Sequence, residues 1–217
     1  MFTRFTKHGS EREKSSIEEI NLPDQVFSSL ISVEEALGKR KSVRAYHDEP
    51  LSTSDVSQLL WAAQGITRPG GYRTAPSAGA LYPLEVYLLA GDVTGLDSGL
   101  YRYEPERHVL QKMKEGDDRD ELSQAALNQE AIRDAPAIII ITGIYERTTG
   151  KYGGRGRQYV HMEVGSVSQN IYLQAVSLNL GTVFIGAFYD GEVQKVLGLG
   201  ENEVPFSIMP VGHPEAE

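Results

Sequence analysis

The chain has 217 residues, 21 Lys plus Arg against 30 Asp plus Glu, five His and no Cys, giving a formal charge of -9. That length suits one domain with a short arm, and the acidic balance disfavours non-specific binding to nucleic acid or to anionic membrane surfaces. Without cysteine there is no disulfide framework, no thiolate metal site and no cysteine nucleophile.

Residues 1–10 are polar and carry Arg4, Lys7 and His8 with no apolar stretch behind them, unlike a signal peptide. The longest apolar run, 135–141, is far short of the ~18 residues of a membrane span, so a cytoplasmic protein is expected. Residues 1–30, rich in charge and serine, read as an extended arm ahead of a single domain over 31–217. Ser32, with Glu35 three residues on, predicts a capping box and a short helix closing near Gly38. Ser54 repeats the signal, Val56, Leu59, Leu60 and Ala63 fall at helical spacing, and Gly65 stops that helix. Residues 68–79 hold three Gly and two Pro, which is loop chemistry.

Leu84–Ala90 reads as a buried strand, because Val86, Tyr87, Leu88 and Leu89 run without alternation. Residues 100–103 and 109–113 flank a proline-bearing turn and predict a hairpin. Residues 121–132 are expected to be helical, and 135–142, with four consecutive isoleucines, is a second buried strand. Over 163–180, Val164, Val167, Ile171, Leu173, Ala175, Val176 and Leu178 make a long helix apolar on most of its circumference, as inside a domain or at a subunit interface. Strands at 182–185 and 206–211 complete the pattern. Strands separated by helices and one hairpin predict a three-layer α+β fold around a mixed sheet.

None of His8, His47, His108, His161 and His213 lies at i,i+3 or i,i+4 spacing from another, so no metal site is expected. Ser77, in Pro76-Ser77-Ala78-Gly79, has no strand feeding into it and is not a hydrolase elbow. Gly150-Lys151-Tyr152 lacks the context of a nucleotide loop, and Gly153-Gly154-Arg155-Gly156 reads as a mobile loop. Three segments stand out. Lys39-Arg40-Lys41-Ser42-Val43-Arg44 places four cations and a hydroxyl together in an acidic chain, groups that hold a phosphate, although charge runs are usually solvated surface. In the run from Thr74 to Pro83, small residues let backbone approach a flat ligand closely, or merely join a helix to a strand. In Phe184-Ile185-Gly186-Ala187-Phe188 a strand ends in Gly-Ala between two aromatics.

In this order the segments resemble the nitroreductase family of flavin mononucleotide (FMN) enzymes, and within it the SagB-type dehydrogenase branch that includes the thiazoline and oxazoline oxidases. Phe5-Thr6-Lys7, Arg40-Lys41-Ser42-Val43-Arg44, the run Pro76-Ser77-Ala78-Gly79-Ala80-Leu81-Tyr82-Pro83-Leu84-Glu85, Tyr159-Val160-His161-Met162-Glu163, Gln169-Asn170-Ile171-Tyr172-Leu173 and Ile185-Gly186-Ala187-Phe188 carry the likeness. It implies a three-layer α-β-α fold with a central mixed, mainly antiparallel sheet, in a domain-swapped homodimer with FMN at each of two interface sites. By that likeness Arg40, Lys41, Ser42 and Arg44 hold the phosphate and ribityl end. Pro76, Ser77, Ala78, Gly79, Ala80 and Leu81 border the isoalloxazine from the other subunit. Ile185, Gly186 and Ala187 lie along the ring and supply an amide near N5, and Gln129, with Gln64 as a second candidate, lies near the pyrimidine edge.

Two departures stand out: Ser166 where the branch usually has His, and a segment 211–217 without the basic residues many relatives add, which leaves the phosphate to residues 40–44. The implied activity is hydride transfer through flavin N5, with NADH or NADPH as possible co-substrate. It serves either reduction of small nitro or quinone compounds or oxidation of azoline rings in a modified peptide. No catalytic acid or base is evident, and Tyr152, Arg155 and Arg157 are read as a substrate-selecting lid or as plain surface. The alternatives are a flavin-storage protein without turnover and a dimeric scaffold without flavin.

Overall fold

Two continuous apolar runs mark the centre of the fold: Leu84–Ala90 and Ala137–Gly143 lie side by side and antiparallel, with Leu88 opposite Ile139. The computed structural model describes residues 18–215, so Phe5-Thr6-Lys7 lies outside the described residues. In chain order the first elements are β1 (Glu19–Asn21), α1 (Val33–Lys39), β2 (Leu51–Ser52), α2 (Thr53–Gln64), β3 (Ile66–Arg68) and β4 (Tyr72–Arg73). A 3-10 turn at Ala78–Ala80 leads to β5 (Leu84–Ala90), β6 (Val93–Thr94), β7 (Gly99–Glu104) and β8 (Val109–Glu115). Then come α3 (Arg119–Ala125), α4 (Glu130–Asp134), β9 (Ala137–Gly143), α5 (Glu146–Tyr152) and α6 (Arg155–Ser177). The last are β10 (Gly181–Thr182), α7 (Asp190–Leu197) and β11 (Val204–Gly212).

The main sheet runs β1-β8-β7-β5-β9-β11-β10, and each of its neighbouring pairs is antiparallel. The expected mixed character reduces to the small parallel pair β2-β6 and one parallel bridge, Ser42 to Thr182. Val86, Leu88, Ile139, Ile141, Met209 and Val211 pack under α2 and α6, whereas Tyr87, Leu89, Ile138, Ile140 and Ile208 pack under α3, α4 and α7. With helices on both faces every position of a central strand is buried, so alternation vanishes even in an antiparallel sheet. Burying a Leu or Ile side chain fully stabilises the fold by roughly 1.5–3 kcal/mol, which makes this double-sided strand pair the main anchor.

Several local expectations change. Ser52 caps α2, not Ser54: its hydroxyl accepts from Asp55 N–H while the Asp55 carboxylate accepts from Ser52 N–H, a complete capping box two residues earlier. At α1 the Ser32 hydroxyl accepts from Glu35 N–H, but the Glu35 carboxylate pairs with Lys39 at 2.6 Å. The helix expected over 121–132 breaks into α3 and α4 because Leu127 and Asn128 take left-handed φ values of 61° and 59°. Ser123 holds that break, accepting Asn128 N–H on its carbonyl and donating its hydroxyl to the Gln129 carbonyl.

Of the segment 153–156 read as a mobile glycine loop, only Gly153-Gly154 lies between helices, after the end of α5, and Arg155-Gly156 opens α6. The long helix therefore begins eight residues before 163, and Val160, Val164, Val167, Ile171 and Ala175 form its buried stripe. The strand expected at 182–185 is β10 plus one bridge, Ile185 to Ile208. Within the expected arm, β1 pairs with β8, and Arg107 forks onto the Glu19 carboxylate at 2.6 and 2.7 Å. No helix among the described residues is long and apolar enough to cross a membrane.

Candidate functional site

Where α1 ends, Arg40 takes an extended backbone and the chain runs beside β10, with Val43 N–H donating to the Thr182 carbonyl at 2.9 Å. Side chains alternate along such a segment. Lys39, Lys41 and Val43 line a cavity of about 230 Å³ against Asn179, Gly181 and Thr182. Ser42 instead meets the hydroxyl of Tyr172, a residue of α6, at 3.2 Å. The Arg40 guanidinium lies over the Tyr172 ring, 5.1 Å from its centre, and Arg44 is exposed. Two contacts pin the segment behind these cations. The buried Tyr46 hydroxyl donates toward the carbonyls of Val43 and Pro210, and burial raises its pKa far above that of a free phenol. A Cβ on Gly181 would stand 2.7 Å from Val43, so only glycine admits this approach.

The turn after β10 joins the same edge. Phe184 N–H donates to the Tyr172 hydroxyl at 2.7 Å, and Ile185 exchanges two 3.0 Å backbone bonds with Ile208. Ile185 is buried, whereas Gly186 and Ala187 are exposed. Gln129, the cap of α4, donates its amide to the carbonyls of Ala126 and Ala187, each at 3.0 Å. The structure thus gathers Arg40, Ser42, Gln129 and Ile185–Ala187 at one edge, and Lys41 lines the adjoining cavity, which Tyr172 also borders.

The loop over 76–83 belongs to a second group. The Ser77 hydroxyl accepts Tyr82 N–H at 2.9 Å, and Gly79, Ala80 and Tyr82 all have left-handed φ, which for Ala80 and Tyr82 is strain held by the surroundings. Pro76, Gly79 and Ala80 are exposed, and Ser77, Ala78 and Leu81 are half-buried. Arg147 clamps the end of the loop through Glu85 at 2.5 Å and the Tyr82 carbonyl at 3.2 Å.

Beneath the loop lies Glu163, 3 % exposed, on the otherwise apolar stripe of α6. Burial pushes its carboxyl up to about 7, although Ser77, Arg73 and Gln64 all favour the charged form. Arg73 donates to Gln64 Oε1 at 2.9 Å and stacks over Tyr82 at 4.4 Å. Glu163 Oε1, Gln64 Nε2 and Arg73 Nε are buried there without a well-formed hydrogen bond. On the outer side, a Cβ on Gly79 would stand 2.8 Å from the Tyr152 hydroxyl and 3.0 Å from Lys151 Nζ.

The two groups draw on different residues of one subunit. Gln64 joins the loop group rather than the edge that holds Gln129. Arg155 and Arg157 lie in the first turn of α6, over the rings of Tyr159 and Tyr145 respectively, and Tyr152 ends α5. No cluster of His, Asp and Glu suited to a metal is present among the described residues. Glu163 and Tyr172 stood in motifs that carry the resemblance but were given no role, and Lys151 only in a segment set aside as a nucleotide loop. A carboxylate inside the stripe Val160, Val164, Val167 was a further signal for Glu163.

A family model, described as the nitroreductase family, matches residues 37–213. The chain belongs to the nitroreductase family. It is 50 % identical over 194 residues, covering 89 % of this chain and 96 % of the relative, to a Methanocaldococcus jannaschii protein named as a putative nitroreductase. A Ralstonia eutropha structure given the same name superposes with a TM-score of 0.80 at 27 % identity, over all of this chain and 96 % of that one. The microcin B17-processing protein McbC of Escherichia coli is 29 % identical over 160 residues, 71 % of this chain and 59 % of McbC. The NADPH-flavin oxidoreductase of Vibrio harveyi is 28 % identical over 112 residues, 48 % of this chain and 47 % of that one. Members of this family are oxidoreductases that typically use flavin, with NAD(P)H-linked enzymes among them.

Proposed function

We propose that this family member is an FMN-dependent oxidoreductase whose site is completed by a second copy of the chain. The observation that carries the reading is the edge assembled by Tyr172 and Gln129: cations and a hydroxyl at Arg40, Ser42 and Arg44, continuous with a small-residue turn at Ile185–Ala187. A phosphorylated flat cofactor needs charge-assisted donors at one end and close backbone approach at the other. Arg40, Ser42 and Arg44 bind the phosphate, with Lys41 adding field from the adjoining cavity, and Gly186 and Ala187 line the ring. Bound flavin supplies the two-electron chemistry. Pro76–Leu81 of the second copy cover the ring and exclude water, bringing Lys151 and Tyr152 of that copy, which lie against Gly79, to the reacting edge.

The second copy is supported by an apolar face. Val26, Phe27, Leu30, Val33 and Leu37 are exposed, Phe27 stands edge-on to Trp61, and the half-buried Leu173 and Val176 of α6 adjoin. A surface of this kind marks an interface. A chain of 23.9 kDa sedimenting as a monomer at micromolar concentration overturns the paired site.

The substrates are small nitro or quinone compounds reduced at the expense of NADH or NADPH, or azoline rings of a modified peptide oxidised by the flavin. The likeness to a microcin-processing protein supports the second class and that to an NADPH-flavin oxidoreductase the first. The test is reconstitution with FMN followed by anaerobic titration with NADH and NADPH. A visible flavin band that bleaches with either nicotinamide supports the reductase. A stable band that neither bleaches directs the search to azoline peptides, and failure to oxidise those as well leaves flavin storage. Protein that retains no FMN overturns the reading.

A further inference from the structure

Tyr172 has an unusual set of partners. Its hydroxyl receives the Phe184 N–H at 2.7 Å, a group that can only donate, and lies 3.2 Å from the Ser42 hydroxyl. The phenol oxygen is therefore engaged as an acceptor; across the 3.2 Å contact either hydroxyl can donate, and donation from Tyr172 to Ser42 Oγ is the arrangement that also places the phenol's own proton. With Tyr172 as donor, Ser42 accepts from beneath and its own O–H is free to point outward. Ser42 is exposed, between half-buried Arg40 and exposed Arg44, while Tyr172 is only 8 % exposed and lies under the Arg40 guanidinium at 5.1 Å.

We infer that Tyr172 is a positioning residue that sets the proton of Ser42 outward and so makes the edge selective for a phosphomonoester. The array beside Arg40 then becomes donor-rich: guanidinium groups and one outward serine O–H. Such an array suits a phosphate dianion better than a neutral terminal hydroxyl. Because the same phenol oxygen holds Phe184 N–H, the phosphate anchor and the turn at Ile185–Ala187 share one pin. This inference rests on the flavin reading above and adds a selection between FMN and riboflavin, which differ only in the phosphate.

The experiment measures dissociation constants of FMN and riboflavin by fluorescence quenching for the intact protein, Tyr172→Phe, Ser42→Ala and the double variant. Phenylalanine keeps the ring under Arg40 and removes only the hydroxyl. The expected result is on the order of tenfold weaker FMN binding in Tyr172→Phe with riboflavin changed less than about twofold, since a hydrogen bond to a charged group is the only one lost from the ligand. Ser42→Ala, which leaves the Tyr172–Phe184 bond in place, should lower the FMN-to-riboflavin affinity ratio to the same extent, and the double variant should lower that ratio no further than Tyr172→Phe alone, because the phosphate loses the same donor in each. An unchanged FMN-to-riboflavin ratio in Tyr172→Phe, or additive losses in the double variant, overturns the inference and leaves the flavin reading standing. Equal loss of both ligands shows a structural role and also overturns it. Unaltered protein that binds neither flavin overturns both.

Discussion

Replacing Glu163 by Gln should flatten a pH dependence that the buried carboxyl imposes on the fold. Its pKa rises from an ordinary 4.5 to about 7, the net of burial against the opposing help of Ser77, Arg73 and Gln64. The folded chain thus holds this proton to higher pH than the unfolded chain, and folding takes up a proton between those two values. Stability is complete below the lower value and falls as pH rises through the window, levelling off above it. At about 1.4 kcal/mol per pH unit the loss is about 3 kcal/mol, or roughly 6–12 °C in Tm for a chain of this size. Burial lowers the pKa of His108, which acts the other way by costing stability as pH falls below its ordinary 6.5, but it does so in both proteins. The difference curve between them therefore isolates Glu163. Urea unfolding at pH 5, 6, 7 and 8 should show Glu163→Gln gaining steadily on the parent toward pH 8. A difference curve that stays flat, or slopes the other way, refutes the assignment of a buried, reluctantly charged carboxylate.

Arg40→Ala combined with Arg44→Ala should weaken FMN binding by several kcal/mol, since each charge-assisted contact is worth ~1.5–3 kcal/mol, and equilibrium dialysis against FMN measures it. Retention of FMN at low micromolar concentration excludes this cluster as the phosphate site. Gly186→Val meets only the Phe184 ring, 3.2 Å from an added Cβ, so thermal stability should shift little while the flavin absorption spectrum changes. Gly65→Ala places a methyl 2.1 Å from the Trp61 ring and 2.7 Å from its carbonyl, and should cost ~1–3 kcal/mol in urea unfolding. Gly79→Ala drives a methyl toward the Tyr152 hydroxyl and Lys151 ammonium from a residue at φ +65°, so anaerobic flavin reduction should slow while FMN binding and most of the stability remain.

The layers of the fold were legible because burial writes itself into runs. Four isoleucines in β9 and the unbroken apolar stretch of β5 require cover on both faces, whatever the strand direction. The α3–α4 break was not legible: Leu127 and Asn128 carry no glycine signal, and only the Ser123 bonds hold their left-handed backbone. The glycines at 150–156 misled for the opposite reason, since only Gly153-Gly154 interrupts helix there, and Gly156 is small because a Cβ on it would stand only 2.9 Å from the Thr149 backbone. At the candidate site the basic segment, the 76–83 loop and the 184–188 turn were all visible as unusual composition. Their grouping was not, because Tyr172, Gln129 and Glu163 act through contacts between residues tens of positions apart.

The narrow outer strands of the sheet bear on how copies of this chain meet. β1 offers three residues and β10 two, and beside them lie the Arg107–Glu19 fork on one side and the Ser42 bridge on the other. β1 covers Val109–Gln111 of the longer β8, and β10 covers Val211 and Gly212 of the longer β11. Among the described residues, strand addition from copy to copy, which has no natural stopping point, is thereby offered short templates on β1 and β10. Under the proposed paired site, contact would fall to the helical flank around Phe27 and Leu173, where two identical patches meeting about a two-fold axis close on themselves.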